Sequence, residues 1–318
     1  MFAGIVLPLL VFFGVQSQDD IYRQDYATVS QIQGLTDPAQ QADQYLDFLT
    51  RRPDSRLVEQ VANYFTEALN KLTQAKNWVK VLDASEKWLQ KRPKDNGPLL
   101  FALNAAQESG NSQKVTVFGE QAYASNPDKS IALSLAVAYS ELKNYSKLAV
   151  YGDIAVKEFP IQQSWQIGYE LVSQSVREKN FDKAADYATA ILKGFGNDRP
   201  AEMQAAQWNS IKAFLMETVG RSAFDRQQYS QALEHYSNAV RVNPRSNEAF
   251  YYIGQSQWKQ QKLEEAMNAF AKSAVLNGGY SARARQYLEE IYKSTHAGLL
   301  TGLDQYLERA RRELAAAR

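Results

Sequence analysis

Few residues in this sequence have the type and spacing needed for catalysis or metal binding. The chain contains no cysteine, which excludes thiol catalysis and cysteine-ligated zinc. Its two histidines belong to no His-Glu-x-x-His or similar pattern; we expect His235 on the outer face of a helix and His296 at a helix end. The acidic pairs at 264–265 and 289–290 are adjacent in sequence, so their side chains diverge around a helix. The sequence therefore predicts no enzyme, no cofactor and no metal site.

Signals for phosphate and nucleic-acid binding are also missing from the sequence. No Gly-x-Ser-x-Gly, Walker or dinucleotide glycine pattern occurs, and the two glycines in 194–200 follow no strand, so we interpret that stretch as a linker. The 36 basic and 35 acidic residues are well mixed, leaving a net charge of +1. The arginines at 309, 311, 312 and 318 fit the C-terminal end of a helix. We expect no nucleic-acid partner.

Two stretches of the chain repeat with a period of 34 residues. Small, large and helix-ending residues recur at the same offsets in units 213–246 and 247–280. In the first unit these positions hold Met216, Val219, Gly220, Tyr229, Ala232, Tyr236, Ala239 and Pro244. In the second they hold Phe250, Ile253, Gly254, Leu263, Ala266, Phe270, Ser273 and Gly278. Eight aligned positions with one period are strong evidence for a structural repeat.

The pattern has a physical reason. Two antiparallel helices pack closely only where small residues allow their backbones to approach, with large residues filling the grooves beside each crossing. Proline then ends the second helix. The pattern resembles the tetratricopeptide repeat. The resemblance implies an all-α fold, a right-handed superhelical α-solenoid of helix-turn-helix repeats, and it implies binding rather than chemistry as the general function.

Weaker copies of the repeat precede these two units. Pro93, Pro127 and Pro160 fall 34 and 33 residues apart. With Pro93 and Pro160 as unit ends, two further units are predicted around 62–95 and 129–162. A third is predicted around 165–198, where Gly196 takes the place of the proline. Two more, beginning at Tyr22 and Asn96, depend mainly on continuity. We therefore expect about seven units.

The sequence predicts four segments: 1–17, 18–198, 199–280 and 281–318. The linker before 200 separates the degenerate repeats from a long helix that we expect to start at Pro200 and run towards Arg226. Segment 281–318 is predicted to hold capping helices, one at 281–293 and one with an apolar face made of Leu299, Leu300, Leu303, Tyr306, Leu307, Ala310 and Leu314. A cap shields the last hydrophobic face of a solenoid; a helix for docking a partner or for dimerisation is the alternative.

The N-terminal segment differs in composition from the rest of the chain. Residues 2–15 are apolar apart from glycine and proline, which is the length of the core of a secretory signal peptide. Cleavage after Ser17 would release a chain starting at Gln18, exported to a periplasm or cell envelope. No basic residue precedes Arg23, however, so an uncleaved anchor that associates with the membrane through 2–15, or a buried first helix, remains open.

The resemblance also implies which side chains line the concave inner surface, namely those on one face of each first helix. Carried over to this sequence, the predicted partner-binding residues are Phe214, Glu217, Arg221, Glu248, Tyr251, Gln255, Trp258, Lys259, Asn63, Asn70 and Asn104. Aromatic and arginine side chains are typical of peptide-binding hot spots. We expect Tyr251 and Trp258 to bind the partner, whereas Phe214 fits binding and helix packing equally. The family's carboxylate clamp is not supported, because its positions hold Glu217, Arg221 and Tyr252.

These observations favour a non-catalytic scaffold or adaptor of a bacterial periplasm or cell envelope that holds a protein or peptide partner in the concave groove. Two alternatives remain. One is a structural subunit that assembles into an envelope complex through the solenoid ends or the C-terminal helix. The other is an enzyme, or the regulatory domain of one, acting on peptides or cell-wall material.

Overall fold

The computed structural model describes residues 17–316, and within that range the chain consists of helices, turns and short connections without a strand. Residues 2–15, predicted to be a signal peptide or anchor, and Arg318 lie outside the described residues. None of the described helices has both the length and the apolar character that crossing a membrane requires. The predicted all-α fold class is confirmed.

The described helices fall into two compact units, divided after Pro127. The first unit contains α1 Gln18–Gln33, α2 Pro38–Arg51, α3 Val58–Gln74, α4 Trp78–Lys91, α5 Asn96–Glu108 and α6 Ser112–Ser125. The second contains α7 Lys129–Glu141, α8 Tyr145–Glu158, α9 Ile161–Arg177, α10 Phe181–Phe195, α11 Ala205–Asp225, α12 Tyr229–Val242, α13 Asn247–Lys259, α14 Leu263–Val275, α15 Ser281–Thr295 and α16 Leu303–Ala316. Each of the seven predicted repeats contains one helix pair, and within each unit successive helices pack on one another as in an α-solenoid. The right-handed superhelical path stays a prediction.

Six of the helix pairs are joined by the same type of turn. In each, one residue adopts a left-handed backbone, and the next N–H bonds back to a carbonyl five residues earlier, which is the Schellman arrangement. The left-handed residues are Lys76, Gly110, Lys143, Lys179, Gln227 and Gln261. Only one of them is the glycine that this conformation favours, so glycine content alone does not reveal these turns.

Asparagine starts the second helix in four of these pairs. The side chains of Asn77, Asn111, Asn144 and Asn180 each accept a hydrogen bond from a backbone N–H three residues later. The bond from Lys114 N to Asn111 Oδ1, for example, is 3.1 Å long. In α12 the corresponding Gln228 makes no such bond. An N-cap satisfies one of the N–H groups that a helix start leaves unpaired.

We expect the Asn111→Ala substitution to lower the free energy of unfolding by about 1 kcal/mol, because it removes the cap of α6. Urea unfolding monitored by circular dichroism measures this change. Gln228→Ala is the matched control and should change stability little. Equal losses in the two variants would contradict the role of the asparagine caps.

The glycines of the repeat lie where an aromatic ring from the second helix crosses the first. A Cβ built on Gly220 would lie 3.0 Å from Cε2 of Tyr236, and one on Gly254 would lie 2.8 Å from Cδ1 of Phe270. Both rings are fully buried. The close approach inferred from the 34-residue period is therefore present in both units, with the aromatic ring rather than backbone against each glycine.

The Gly254→Leu substitution is expected to destabilise the protein by about 1–3 kcal/mol, since the added side chain would overlap the Phe270 ring. Gly279 provides the control, because a Cβ there would meet nothing within 4 Å. Thermal unfolding of Gly254→Leu and Gly279→Leu tests this expectation. If both variants have the melting temperature of the wild type, the register assigned to the repeat is wrong.

The long helix α11 starts five residues later than the sequence indicated. Pro200 does not begin it; instead Met203 N bonds to Pro200 O within a turn, and α11 begins at Ala205 after Gln204. The buried Trp208 indole N–H donates to Asp198 O over 2.9 Å. This bond ties the first turn of α11 to the linker. The tertiary contact, rather than the local preference of Pro200 for a helix start, thus sets where α11 begins.

Helices on both sides of the linker pack together within the second compact unit, which begins at Asp128. The segment boundary at 198 stays a prediction. An aromatic cluster holds α9, α10 and α11 together: Phe195 lies 5.0 Å from Trp208 and 6.3 Å from Trp165, measured between ring centroids. Burial of these three rings explains why α10 and α11 belong to one unit.

The C-terminal helices cover α14. Helix α15 extends two residues beyond the predicted 281–293, and α16 buries Leu303, Leu307, Ala310 and Leu314. Two polar contacts join α16 to α14: Lys272 with Glu313 at 2.7 Å and the Tyr306 hydroxyl with Glu264 at 2.7 Å. The apolar face of α16 is thus covered within the chain, as a cap requires.

The predicted apolar face extended too far towards the N-terminus. Leu299 and Leu300 precede α16 and are 61% and 40% exposed. Gly302, in a left-handed conformation, and the Tyr292 hydroxyl bonded to Thr301 O fix the turn that starts the helix after them.

Candidate functional site

The predicted partner-binding residues differ in accessibility. Asn63, Asn70 and Asn104 lie on α3 and α5 of the first unit, and the other eight lie on α11 and α13 of the second. Asn63, Asn70 and Lys259 are exposed, and Tyr251 and Gln255 are buried. The half-buried members are Asn104, Phe214, Glu217, Arg221, Glu248 and Trp258.

Tyr251 belongs to the core rather than to an open surface. It is 5% exposed, and its ring centroid lies 4.8 Å from that of Tyr280 and 6.1 Å from that of Tyr287. Both of these rings come from the segment that forms the start of α15 and α15 itself. Gln255 is 7% exposed on the same helix. A partner could reach these two side chains only if α15 moved away, which corrects the expectation that Tyr251 anchors a partner directly.

Trp258 and Lys259 form the more accessible end of α13. The half-buried Trp258 packs against Tyr287 with ring centroids 5.1 Å apart, and Lys259 is exposed next to it. Phe214 on α11 packs edge-on against Tyr169, at 5.8 Å, and stays half-buried. Phe214 therefore both packs and remains partly accessible.

Arg221 is held in place by contacts within the chain. Its Nε donates to both oxygens of Asp225 at 3.0 and 3.1 Å, and its Nη1 donates to the Tyr252 hydroxyl. The guanidinium also lies over the rings of Phe181 and Tyr252, 4.5 and 5.0 Å from their centroids. These contacts fix the guanidinium by aromatic stacking and ion pairing.

Two carboxyl groups lie close to this arginine on neighbouring first helices. Glu217 on α11 accepts a hydrogen bond from the Ser246 hydroxyl, and burial raises the pKa of Glu217 to about 7. Burial also raises the pKa of Glu248 on α13, although Arg221 and a hydrogen bond from Tyr280 oppose the shift. The charge of Glu248 in turn favours the neutral form of Glu217. Desolvation thus dominates the electrostatics of both carboxyl groups.

Tyr236 contributes a polar atom to the same region. The hydroxyl of this fully buried side chain has no hydrogen-bond partner in the described structure. Its ring is stacked on Tyr252 with centroids 5.1 Å apart and planes at 7°. Burial raises the pKa of Tyr236, and the negative charge of Glu248 adds to the shift. We call Glu217, Arg221, Tyr236, Glu248 and Tyr252 the polar cluster.

Sequence reasoning identified three of these five side chains as binding residues, but not their arrangement. From the sequence, Tyr236 was assigned to helix packing. Tyr252 was noted only because it occupies a position of the family's carboxylate clamp without matching it. The sequence gives only a weak signal for the role of Tyr236. The aromatic position of the repeat holds a tyrosine here, whereas the next unit has Phe270 at the same position. A hydroxyl at such a buried position calls for a polar partner.

A cleft of about 720 Å³ lies beside the linker, lined by polar and aromatic residues from 194–212 together with Gln162. Its amino groups are already used: Lys212 Nζ donates to Gly196 O and Gln162 Nε2 donates to Gly194 O, both over 2.8 Å. These bonds stabilise the linker, so we assign this cleft a structural role.

Within residues 17–316, no group of three or more histidine, aspartate or glutamate side chains is placed to hold a metal ion. His296 follows the last residue of α15, and its ring is stacked on Tyr292 with centroids 3.8 Å apart. It is a helix-end residue, as the sequence indicated.

Comparisons with known proteins give one sequence match and several structural likenesses. The tetratricopeptide repeat family profile matches residues 219–284. No curated protein sequence matches the chain. A tetratricopeptide repeat protein from Parabacteroides merdae is 12% identical, with 86% of this chain and 98% of that chain covered and a TM-score of 0.33.

Two yeast structures show similar values. The TPR2AB domain of yeast Sti1, in its pHSP90 complex, is 12% identical, covering 92% of this chain and 99% of that chain at a TM-score of 0.31. Yeast Tom70 is 12% identical, covering 92% and 62% at a TM-score of 0.37. Likenesses at these scores carry no argument about function. The assignment to the tetratricopeptide repeat family is based on the sequence profile, the 34-residue period and the contacts of Gly220 and Gly254 with aromatic rings. Residues 219–284, from α11 into α15, are tetratricopeptide repeats.

Proposed function

We propose that the protein is a non-catalytic scaffold that holds a segment of a protein partner on the face formed by the first helices α11 and α13. Tetratricopeptide repeats are a protein-binding architecture, and the match, 219–284, covers the end of α11 and all of α13. The observation that carries the proposal is the polar cluster: the half-buried charged side chains of Glu217, Arg221 and Glu248 on α11 and α13 lie together with two buried tyrosine rings. Trp258 and Lys259 are the accessible side chains at the end of α13.

The side chains at this face suit a peptide better than a small reactive substrate. Half-buried aromatic rings supply apolar contact area, and fixed arginine and carboxyl groups supply orientation and specificity. On the first unit, Asn63 and Asn70 are exposed amides that can bond to a peptide backbone.

Photo-cross-linking in the native host tests the proposal. A benzoylphenylalanine residue at Asp225, which is exposed and contacts Arg221, or at Lys259, which is exposed at the end of α13, should capture one protein partner. Matched probes at Glu234 on α12 and Glu265 on α14 are equally exposed but lie on second helices, and they should not capture it. Capture only from these controls or from Leu299 would contradict the groove assignment and favour assembly through the end of the array.

We also propose, from the composition of 2–15, that the protein is exported to a periplasm or cell envelope. Mass spectrometry of the N-terminus of the native protein, after cell fractionation, tests this. A mature N-terminus at Gln18 in the periplasmic or envelope fraction is expected. A cytoplasmic chain that retains 2–15 would contradict export.

A further inference from the structure

Two carboxyl groups and one hydroxyl of the polar cluster lack the partners that their burial requires. Glu217 and Glu248 lie on neighbouring first helices and are both half-buried. Glu217 accepts a hydrogen bond from the Ser246 hydroxyl, and the Tyr280 hydroxyl favours the charged form of Glu248. Among residues 17–316 neither carboxyl group forms an ion pair with a lysine, arginine or histidine.

The nearest cation does not neutralise this pair. Arg221 is ion-paired with Asp225 on its own helix and bonded to Tyr252. Arg221 also acts on Glu248, but it is not among the groups that act on Glu217. When ionised, Glu217 and Glu248 therefore carry negative charge that no ion pair among the described residues offsets, and a cation from outside the chain can bond to it.

The Tyr236 hydroxyl is an independent sign of a missing partner. Its side chain is fully buried and lacks a hydrogen bond in the described structure. A Cβ built on Gly220 of α11 would lie 3.2 Å from Cζ of Tyr236, and the Tyr236 ring is stacked on Tyr252, so the hydroxyl end of this side chain lies beside Arg221 and Tyr252. Buried hydroxyl groups are nearly always bonded to protein, water or ligand. Here a hydrogen-bond partner is missing in the cluster whose two carboxyl groups lack an ion pair.

We propose that Glu217 and Glu248, next to the unpartnered Tyr236 hydroxyl, form a receptor for one cationic side chain, arginine or lysine, of the bound protein partner. This inference rests on the proposed function and specifies what the partner must present. Both cations have several N–H donors, enough to bond to the two half-buried carboxylates. In a partly desolvated site such charge-assisted bonds are stronger than at an open surface.

Small cationic probes test the receptor without knowledge of the partner. N-acetyl-argininamide, N-acetyl-lysinamide and the uncharged N-acetyl-norleucinamide are titrated into the full chain at about pH 8.5, well above the raised pKa of Glu217. Amide shifts in ¹H–¹⁵N spectra report binding. One or both cationic probes should shift amides of α11 and α13 saturably, and the norleucine probe should not. The stronger of the two cationic probes identifies the side chain that is preferred.

Charge-neutral variants localise the binding. Glu217→Gln combined with Glu248→Gln should weaken the binding of the cationic probe by about ten-fold or more, because the site loses both carboxylates. Glu234→Gln with Glu265→Gln removes two exposed charges from second helices and should leave binding unchanged. Circular dichroism checks that all variants remain folded. Equal binding of norleucinamide, unchanged binding in the first variant, or no saturable shift with either cation would overturn the receptor.

The outcomes separate this inference from the proposed function. If groove cross-linkers capture a partner but the cationic probes bind nothing, the scaffold stands and the cation receptor is wrong. If the probes bind at Glu217 and Glu248 while partners cross-link only elsewhere, the receptor stands and the groove assignment of the scaffold is wrong.

Discussion

Tyr251→Ala is expected to lower the free energy of unfolding by about 3–5 kcal/mol, the range for removing a large buried aromatic side chain. Tyr251 contacts four rings: those of Tyr252 and Phe270, at 5.1 and 6.0 Å between centroids, and those of Tyr280 and Tyr287. Its loss would leave a cavity between α13 and α15 that these rigid rings cannot fill.

Urea unfolding followed by circular dichroism measures this effect. Tyr251→Phe keeps the ring and should cost much less. Trp258→Ala is a second comparison, because Trp258 is half-buried and contacts only the Tyr287 ring among the described aromatic pairs. If Tyr251→Ala were stable but weakened partner capture, Tyr251 would be a groove residue, as the sequence first indicated.

The second large effect is a dependence of stability on pH that originates in Glu217. Its pKa is about 7 in the folded protein and near the ordinary 4.5 when unfolded. Between these values the folded state binds more protons than the unfolded state, so the free energy of unfolding falls as the pH rises. The stabilisation is complete below about pH 4.5 and lost above about pH 7, a change of roughly 3 kcal/mol from this group. Glu248 acts in the same direction.

Glu217→Gln tests this directly, since glutamine cannot ionise and retains a similar shape. Unfolding free energies measured from about pH 5 to about pH 8 should fall less steeply in this variant than in the wild type, leaving it more stable than the wild type at the alkaline end. Glu234→Gln, at an exposed position, should follow the wild type. Parallel curves for Glu217→Gln and wild type would show that Glu217 is not desolvated.

Much of the fold follows from the sequence because the repeat constrains it strongly. A Cβ on Gly254 would overlap the Phe270 ring, and one on Gly220 would be in tight contact with the Tyr236 ring, so the 34-residue spacing of these glycines reflects packing directly. The earlier units were harder to identify, since larger residues replace the small ones there. The asparagines at 77, 111, 144 and 180 mark the same turns and would have strengthened that identification.

Other features depend on contacts between distant residues and could not be derived from local signals. The start of α11 is set by the bond from Trp208 to Asp198 rather than by Pro200. The burial of Tyr251 depends on Tyr280, the last residue of the second consensus-like unit, and on Tyr287, which lies beyond that unit. Carrying over family positions assumes an open inner surface at that point. The arrangement of the polar cluster likewise depends on the hydrogen bonds of Arg221 with Asp225 and Tyr252. The residue types alone do not predict these partners.

The measurement that most directly tests the binding face is hydrogen–deuterium exchange of the full chain, alone and with the partner identified by cross-linking. We expect the added protection to be concentrated in α11 and α13, with α12, α14 and α16 little changed. Protection confined to α16 and the exposed residues before it would contradict a binding face on the first helices and indicate assembly through the C-terminal end.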